Sequence, residues 1–173
     1  MDFSNLVTSV TLGGLPALIN ATQRFQGFES GIGLYLRHDL MARANYTFHD
    51  ARFTNFVQDF GGVPTQLAGN RLEMSARHLA ALGLNYTPTR GFLGGVEVNF
   101  TSSRFLDRRN TALADGFATV GLSAGYRTPR WELRVHARNL GDRRDPVSES
   151  ELGDAQYYLM PSRRVDATFR VHF

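Results

Sequence analysis

The end of the chain divides into two kinds of residue when every second position is read. In the stretch RVDATFRVHF, residues 164–173, one alternate set is apolar and the other is polar or charged. The apolar set is Val165, Ala167, Phe169, Val171 and Phe173, and the polar set is Asp166, Thr168, Arg170 and His172. A period of two residues predicts a β-strand whose two faces meet different surroundings.

The same alternation recurs along most of the chain. Examples are WELRVHARNL (131–140), FATVGLSAGY (117–126), FLGGVEVNF (92–100), HLAALGLNY (78–86), LMARANYTFH (40–49), FESGIGLYLR (28–37) and, more weakly, NLVTSVTL (5–12). About eight such segments predict an all-β antiparallel meander. Strands of globular proteins are typically about five or six residues long, whereas about ten residues cross a bilayer at a tilt. The segment lengths therefore favour part of a transmembrane β-barrel, or a small complete one.

The connections between these segments are alternately short and long. The predicted tight turns are Arg37–Asp39, Thr87–Gly91 and Arg127–Arg130, and the predicted long loops are Leu12–Ile19, Arg52–Ala76, Arg104–Asp115 and Gly141–Ser162. This alternation is typical of outer-membrane barrels, which have short periplasmic turns and longer outer loops.

Large aromatic residues flank the predicted tight turns on the apolar faces of their strands. They are Tyr86, Phe92, Tyr126 and Trp131, joined at the same level by Phe173 if the last strand runs towards that edge. Aromatic rings at one level predict a girdle at a membrane interface. Tyr46, Phe48, Phe100 and Phe105 lie towards the long loops and are candidates for the other girdle. The alternative is that these rings fill the core of a soluble sandwich.

The opposite face of the predicted strands carries charged residues. We expect these residues to line the interior: Arg43, Glu97, Glu132, Arg134, Arg138, Asp166 and Arg170. An arginine facing lipid near the bilayer midplane would cost about 2–4 kcal/mol. This face is therefore predicted to look into a lumen, and the sheet to close, because lipid cannot pair backbone groups.

Composition and charge exclude several classes of function. The chain of 173 residues has a formal net charge of +3, no cysteine, and only arginine as its strong base. The arginines are scattered among apolar residues and form no stripe, so we expect no nucleic-acid partner. Thiolate and disulfide chemistry are excluded, and no catalytic motif is found, so we expect neither an enzyme nor a cofactor. His136 and His172 lie on the same face of the last two strands, but a metal site needs three or more converging ligands, so no metal is predicted.

Several segments resemble the C-terminal part of the barrel of TonB-dependent outer-membrane receptors. They are NRLEMSARHLAALGLNY (70–86), DGFATVGLSAGYR (115–127), RVHARNLGDRRDP (134–146), QYYLMPSRRVDATFRVHF (156–173) and DFSNLVTSVTLGGLPALINATQRFQGFE (2–29). The Asn-Leu-x-Asp corner at 139–142 is similar to the family's corner, but Arg143, Arg144, Asp145 and Pro146 follow it where the family often places an aromatic residue.

The resemblance implies a location in the outer membrane of a Gram-negative bacterium and a 22-stranded barrel with an N-terminal plug. No segment here matches the plug, the TonB box or a signal peptide, so residues 1–173 are expected to be a single C-terminal barrel segment that contacts TonB only through the plug. The lumen residues are then expected to pack on that plug. The alternating end, Val165, Ala167, Phe169, Val171 and Phe173, resembles the signal read by the barrel-assembly machine.

The implied function is TonB-dependent uptake of a nutrient, with a ferric siderophore favoured. Loop residues expected to meet such a ligand are Arg104, Arg108, Arg109, Asn110, Arg143, Arg144, Gln156, Tyr157 and Tyr158. Arginine and tyrosine suit anionic or aromatic chelates, and the same groups suit lipopolysaccharide phosphates, since membrane lipid and lipopolysaccharide are also expected partners. Two alternatives stay open: a small self-contained barrel for anchoring or adhesion, and a soluble ligand-binding barrel.

Overall fold

The computed structural model describes residues 2–12, 15–149 and 156–172. Its strands are β1 (Asp2–Leu12), β2 (Leu15–Arg37), β3 (Leu40–Asn55), β4 (Val57–Asp59), β5 (Pro64–Gln66), β6 (His78–Tyr86), β7 (Gly91–Thr101), β8 (Arg104–Phe105), β9 (Leu113–Ala114), β10 (Phe117–Arg127), β11 (Trp131–Arg138), β12 (Pro146–Glu149), β13 (Tyr157–Leu159) and β14 (Arg164–Val171). Nowhere in these ranges is there a helix long and apolar enough to span a membrane.

One eight-stranded sheet dominates the molecule. Its strand order is β1-β2-β3-β6-β7-β10-β11-β14, and every neighbouring pair is antiparallel. Each strand therefore pairs with the next long strand of the chain, which confirms the predicted all-β meander of eight strands. β1 and β14 are the two outermost strands, and within the described residues they do not pair with each other. The sheet is thus an open wall, and it does not close on itself as a small barrel.

From β2 onward the connections alternate between short and long as the sequence predicts. β2–β3, β6–β7 and β10–β11 are joined by tight turns, whereas each following connection carries a small hairpin of its own. These hairpins are β4–β5, β8–β9 and β12–β13. All the long connections of this set therefore lie at one edge of the sheet, called here the loop edge, and the tight turns lie at the opposite turn edge.

The prediction of a long loop at Leu12–Ile19 is wrong. Leu12 pairs with Leu15, and the register continues through Thr8 paired with Ile19. Residues 13 and 14, which join the two strands, lie outside the described residues. The alternation of apolar residues weakens there, and for that reason the pattern alone missed the hairpin.

β2 and β3 are longer than a membrane requires. β2 has 23 residues and β3 has 16, whereas the other six wall strands have 8 to 11. The sequence pattern predicted a strand only from Phe28 onward, because the alternation breaks down before that residue. Since about ten residues cross a bilayer, the outer halves of these two strands project beyond it at the loop edge.

The register keeps apolar residues on one face across the whole wall. One continuous row of Cα partners runs through Leu34, Ala42, Leu84, Val96, Leu122, Ala137 and Val165. Along β10 the apolar even-numbered residues are exposed and the odd-numbered residues are less exposed. A curved sheet crowds side chains on its concave face and spreads those on its convex face. The apolar face is therefore the convex one, as a barrel wall in lipid requires.

The best-buried apolar cluster lies at the loop edge and not in the wall. Phe53, Phe56 and Leu67 are each at most 2% exposed, and they pack with Ala21. The projecting ends of β2 and β3 supply part of this cluster, and the connection between β3 and β6 folds back onto them. The outer loops consequently have a small core of their own, which anchors them to the wall.

Candidate functional site

The charged face of the wall combines ionic side chains with glycine. All seven residues predicted to line the interior lie on the face opposite the exposed apolar residues. In one row of Cα partners Arg43 faces Gly83, which faces Glu97, which faces Gly121. Glycine beside a long charged side chain leaves space on this face for a further group.

Much of the charge on this face is paired within the sheet. Glu132 is 5% exposed, with its carboxylate 2.7 Å from the Arg127 guanidinium and 3.3 Å from that of Arg134. Asp166 lies 3.3 Å from Arg138 and 3.5 Å from Arg164. Ion pairing within the sheet therefore accounts for Glu132 and Asp166.

A polar recess remains between the middle strands on the same face. It has a volume of about 180 Å³, and Gly95 and Gly121 contribute to its lining. Its polar walls include Glu97, Ser123 and His136. The recess is large enough for a side chain of another protein segment and offers it both charge signs.

The loops at the opposite end are joined to each other by side chains. Asn110 accepts a hydrogen bond from the Arg71 backbone N–H at 2.8 Å and donates one to the Arg71 carbonyl at 2.9 Å. Asn70 donates to the Arg108 carbonyl at 2.9 Å, and Tyr157 donates to the Leu106 carbonyl at 3.2 Å. Three long connections therefore form one layer, called here the loop layer.

Arg108 and Arg104, both predicted to meet ligand, are engaged inside this layer. Arg108 forms a 2.7 Å ion pair with Glu73, and its guanidinium lies 5.7 Å from the centre of the Phe56 ring. Arg104 is 3% exposed, hydrogen-bonded to the Pro146 carbonyl and placed over the Phe117 ring. These contacts give both residues a role in holding the loops together.

The segment after β11 has a similar internal order. The Asn139 side chain donates to the carbonyls of Arg143 and Pro161 at 2.9 Å each and accepts from the Arg143 N–H at 2.9 Å. The Arg143 guanidinium donates two hydrogen bonds of 2.8 Å to the Asp145 carboxylate. This contact raises the pKa of the Arg143 guanidinium. Asn139 therefore ties the end of β11 to the approach of β14.

The predicted ligand residues thus separate into two groups. Arg104, Arg108, Asn110, Arg143 and Tyr157 make the structural contacts described above, and Arg144 bonds the Met160 carbonyl at 3.3 Å. Arg109, Gln156 and Tyr158 are exposed, although the Arg109 guanidinium stacks 4.7 Å from the centre of the Phe60 ring. Arg143 and Arg144 are exposed too despite their contacts, so five of the nine predicted residues are open to solvent.

A carboxylate organises the tip of the connection between β8 and β9. Asp107 accepts hydrogen bonds from the Thr111 and Ala112 backbone N–H groups at 2.9 and 2.7 Å, and from the Thr111 hydroxyl at 2.8 Å. Burial acts to raise the pKa of the Asp107 carboxyl, but these hydrogen bonds outweigh it and hold the pKa below its usual range. The ionised form therefore stabilises this loop.

The aromatic residues near the tight turns form a connected line on the convex face. Ring centres are 5.1 Å apart for Phe92 and Tyr126, 5.9 Å for Tyr126 and Trp131, and 6.2 Å for Trp131 and Phe169. Tyr86 is exposed on the same face. Phe173, assigned from sequence to this girdle and to the assembly signal, lies outside the described residues.

A second aromatic group lies on the same face towards the loop edge. Phe28 is 5.7 Å from Tyr46 and 6.0 Å from Phe48, and the Tyr46 hydroxyl is 2.7 Å from Nδ1 of His78. Phe28 and His78 join Tyr46 and Phe48, two of the four candidates named from the sequence. Phe100, a third candidate, is exposed. Phe105 instead belongs to the loop layer, where the Arg71 guanidinium lies 5.6 Å from its ring centre.

Sequence reasoning missed several residues of the loop layer. Asn70, Arg71 and Glu73 lie in a connection without periodicity, so nothing local indicates their partners. Asn139 carried a signal in its corner motif, and its φ of 50° is one that asparagine tolerates better than most residues. Among the described residues, no group of three or more acidic or histidine side chains is arranged to hold a metal ion.

A comparison with protein families gives one match over most of the chain. The model described as TonB dependent receptor-like, beta-barrel matches residues 1–140. No curated protein matches the chain.

Solved structures match the fold at low identity. The ferric yersiniabactin uptake receptor from Yersinia pestis is 22% identical with a TM-score of 0.74, over 91% of this chain and 25% of that one. The siderophore receptor from Acinetobacter baumannii is 19% identical with a TM-score of 0.72, over 97% and 24%. A copper transporter is 16% identical with a TM-score of 0.70, over 97% and 26%. The chain thus spans about a quarter of these structures.

Proposed function

Because the chain belongs to the TonB-dependent receptor-like β-barrel family, we propose that it is a C-terminal barrel segment of a receptor that imports a ferric siderophore. Proteins of this family reside in the outer membrane of Gram-negative bacteria. The wall fits that location, because one face is apolar and suits lipid while the other is charged. The observation that carries the proposal is the combination of a lipid-suited convex face, a charged concave face and an ordered loop layer at one edge only. The role is transport and not catalysis.

The loop layer supports capture of a ligand outside the membrane. Its residues are held by hydrogen bonds and a small apolar core, so a binding surface on it is preorganised. Arg109 and Tyr158 are exposed on this layer and offer a cation and an aromatic ring to a ferric chelate. The matching structures include a siderophore receptor and a copper transporter, so the uptake assay below compares iron with copper.

The concave face supports docking of the plug. Arg43 and Glu97 face glycines across the strands, and the recess beside Gly95 has room for a plug side chain. TonB would act on the plug, so this segment would contribute the wall against which the plug rests. Expression of residues 1–173 alone in a receptor-deleted strain is expected to restore no uptake, and restored uptake would contradict the proposal.

The alternating end of the chain supports a role in assembly. Val165, Phe169 and Val171 are exposed on the convex side of the edge strand β14, where an assembly factor can reach them. We expect Phe169→Ser to lower the amount of folded barrel in the membrane, measured by heat-modifiable gel mobility. An unchanged folded fraction would contradict this role.

The uptake assay uses the complete receptor in a strain deleted for it. Uptake of radioactive iron presented as ferric siderophores of different chemistry is measured beside uptake of copper. We expect uptake of one ferric siderophore to depend on the receptor, and Arg109→Gln with Tyr158→Ala to reduce it at least tenfold. The matched control is Arg90→Gln in a tight turn, which removes a charge at the other edge and should leave uptake unchanged. Receptor-dependent uptake of copper but not iron would refute the siderophore assignment.

A further inference from the structure

Two arginines lie at the turn edge, next to an apolar groove on the convex face. Arg37 ends β2, and its Cα partner is Leu40, which pairs in turn with Tyr86 on β6. Directly opposed residues of an antiparallel pair project to the same face. Arg37 therefore lies on the face that carries the turn-edge aromatic residues, and Arg90 lies in the neighbouring tight turn.

These two turns carry more positive than negative charge. They are joined by a hydrogen bond of 2.8 Å from the Thr87 backbone N–H to the Asp39 carbonyl. Arg37 and Arg90 are exposed, and in the part of the chain that the structure describes neither forms an ion pair. Asp39 is the one acidic residue of the two turns. A net positive charge therefore remains at this place and attracts an anion.

The apolar groove begins beside Leu40 on the same face. It has a volume of about 310 Å³ and an almost entirely apolar lining. Its floor is formed by the small side chains of Ala42 and Ala44. Its walls come from the Cα partners of these alanines on the two neighbouring strands, which are Ile32, Leu34, Leu82 and Leu84. This shape suits part of an extended acyl chain lying along β3.

The height of the groove assigns it to one leaflet of the membrane. Leu40 lies at the level of Tyr86, and Ala42 and Ala44 lie two and four residues further along β3. These steps are about 7 and 13 Å along the strand, or about 5 and 10 Å in height at a tilt of about 40°. Half of the hydrocarbon layer is about 15 Å thick, so the groove lies in the half next to the tight turns. Because the short turns of outer-membrane barrels face the periplasm, that half is the periplasmic leaflet.

We propose that Arg37 and Arg90 bind the headgroup of an anionic phospholipid of the periplasmic leaflet, with one acyl chain of the same molecule in the groove over Ala42 and Ala44. Guanidinium groups bind phosphate oxygens through paired hydrogen bonds. The groove lies in the hydrocarbon layer next to the two arginines, which favours a lipid over a soluble anion. The proposal needs the outer-membrane location of the family, and it is independent of the cargo.

The experiment uses the complete receptor purified in a non-ionic detergent. Binding of phosphatidylglycerol and of phosphatidylcholine with the same acyl chains is titrated by native mass spectrometry. A basic residue at an anionic lipid surface is worth about a fivefold change in affinity, so the two arginines should give the wild type about a twenty-five-fold preference for phosphatidylglycerol. In Arg37→Gln/Arg90→Gln this preference should disappear, while heat-modifiable gel mobility shows that the barrel is folded.

The matched control removes two exposed arginines that lie away from the groove. Arg130→Gln/Arg163→Gln takes one charge from the third tight turn and one from the segment before β14. This control should keep the preference of the wild type. Equal affinity of the wild type for the two phospholipids, or an equal loss in the two double variants, would overturn the proposal.

A second pair of variants tests the groove without changing charge. Ala44→Phe places a large ring on the groove floor and should weaken phosphatidylglycerol binding at least fivefold. Ala124→Phe makes the same change on the convex face of β10, outside the groove, and should have no effect. Unchanged binding in Ala44→Phe would overturn the acyl-chain site.

Competition identifies the source of the anion. Millimolar glycerol phosphate should not displace phosphatidylglycerol, and displacement would overturn the choice of a lipid. Lipopolysaccharide that competes as well as phosphatidylglycerol would overturn the choice of leaflet. Cargo uptake is scored separately and should not change in Arg90→Gln, because the lipid site faces the membrane and not the lumen. Failure of the lipid proposal therefore leaves the cargo proposal intact.

Discussion

The contact between Asn110 and Arg71 predicts that one side-chain amide holds two outer loops together. Asn110→Ala removes the two hydrogen bonds to the Arg71 backbone, of 2.8 and 2.9 Å, each contributing about 1 kcal/mol. Asn110 also has a φ of 58°, a conformation that costs alanine about 1 kcal/mol. The sum is about 3 kcal/mol against the closed loop, which corresponds to about a hundredfold more opening.

Hydrogen exchange of the complete receptor measures this opening at the Arg71 amide. We expect that amide to exchange about a hundredfold faster in Asn110→Ala, while the amides of β10 and β11 are unchanged. Asn110→Gly is the matched control, because glycine accepts the positive φ and lacks only the hydrogen bonds. It should show about thirtyfold faster exchange. Unchanged exchange in the alanine variant, or full rescue by glycine, would refute the account of the loop contact.

Three further changes test other parts of the structure. A Cβ at Gly125 would collide with the backbone carbonyl of Leu133, whereas one at Gly121 would lie 3.5 Å from its nearest neighbour, so Gly125→Ala should lower barrel stability in urea by about 1–3 kcal/mol and Gly121→Ala should not. Leu67→Ala should weaken the loop core by about 2–5 kcal/mol, seen as faster proteolysis of residues 56–77 with the wall intact. Since the pKa of Asp107 is lowered in the folded loop, its stabilisation is present above about pH 4 and is lost as pH falls through the folded pKa. Protection of residues 106–112 from exchange should fall with it, and in Asp107→Asn this pH dependence should disappear.

The wall could be predicted from sequence because its signal, the alternation of apolar and polar residues, lies within each strand. The period-two alternation in β10, β11 and β14 indicates directly which side chains face lipid and which face the barrel interior. A shift of one residue would turn every side chain to the wrong face. Register, sidedness and the turn-edge aromatic residues follow from that single constraint. The family resemblance added the expectation of a 22-stranded barrel, of which an eight-stranded wall would form one part.

The loop layer was not predictable, because its contacts join residues distant in sequence. Asn110 was expected to meet ligand since asparagine and arginine at a receptor mouth suggest recognition, yet its amide is used by Arg71, 39 residues away. The projecting ends of β2 and β3 were missed for a related reason. Above the membrane, Ala51 and Phe53 are covered by the chain's own loop, so an apolar residue there no longer indicates lipid.

The most direct test of the two-faced wall uses introduced single cysteines, a residue type that residues 1–173 lack. Single cysteines at Leu122, Ser123, Ala124, Val135 and His136 of the complete receptor are spin-labelled in bilayers, and collision with oxygen and with a water-soluble nickel complex is measured. The account predicts high oxygen accessibility at Leu122, Ala124 and Val135, and low accessibility at Ser123 and His136. Oxygen accessibility that is uniform along β10, or highest at Ser123 and His136, would contradict it.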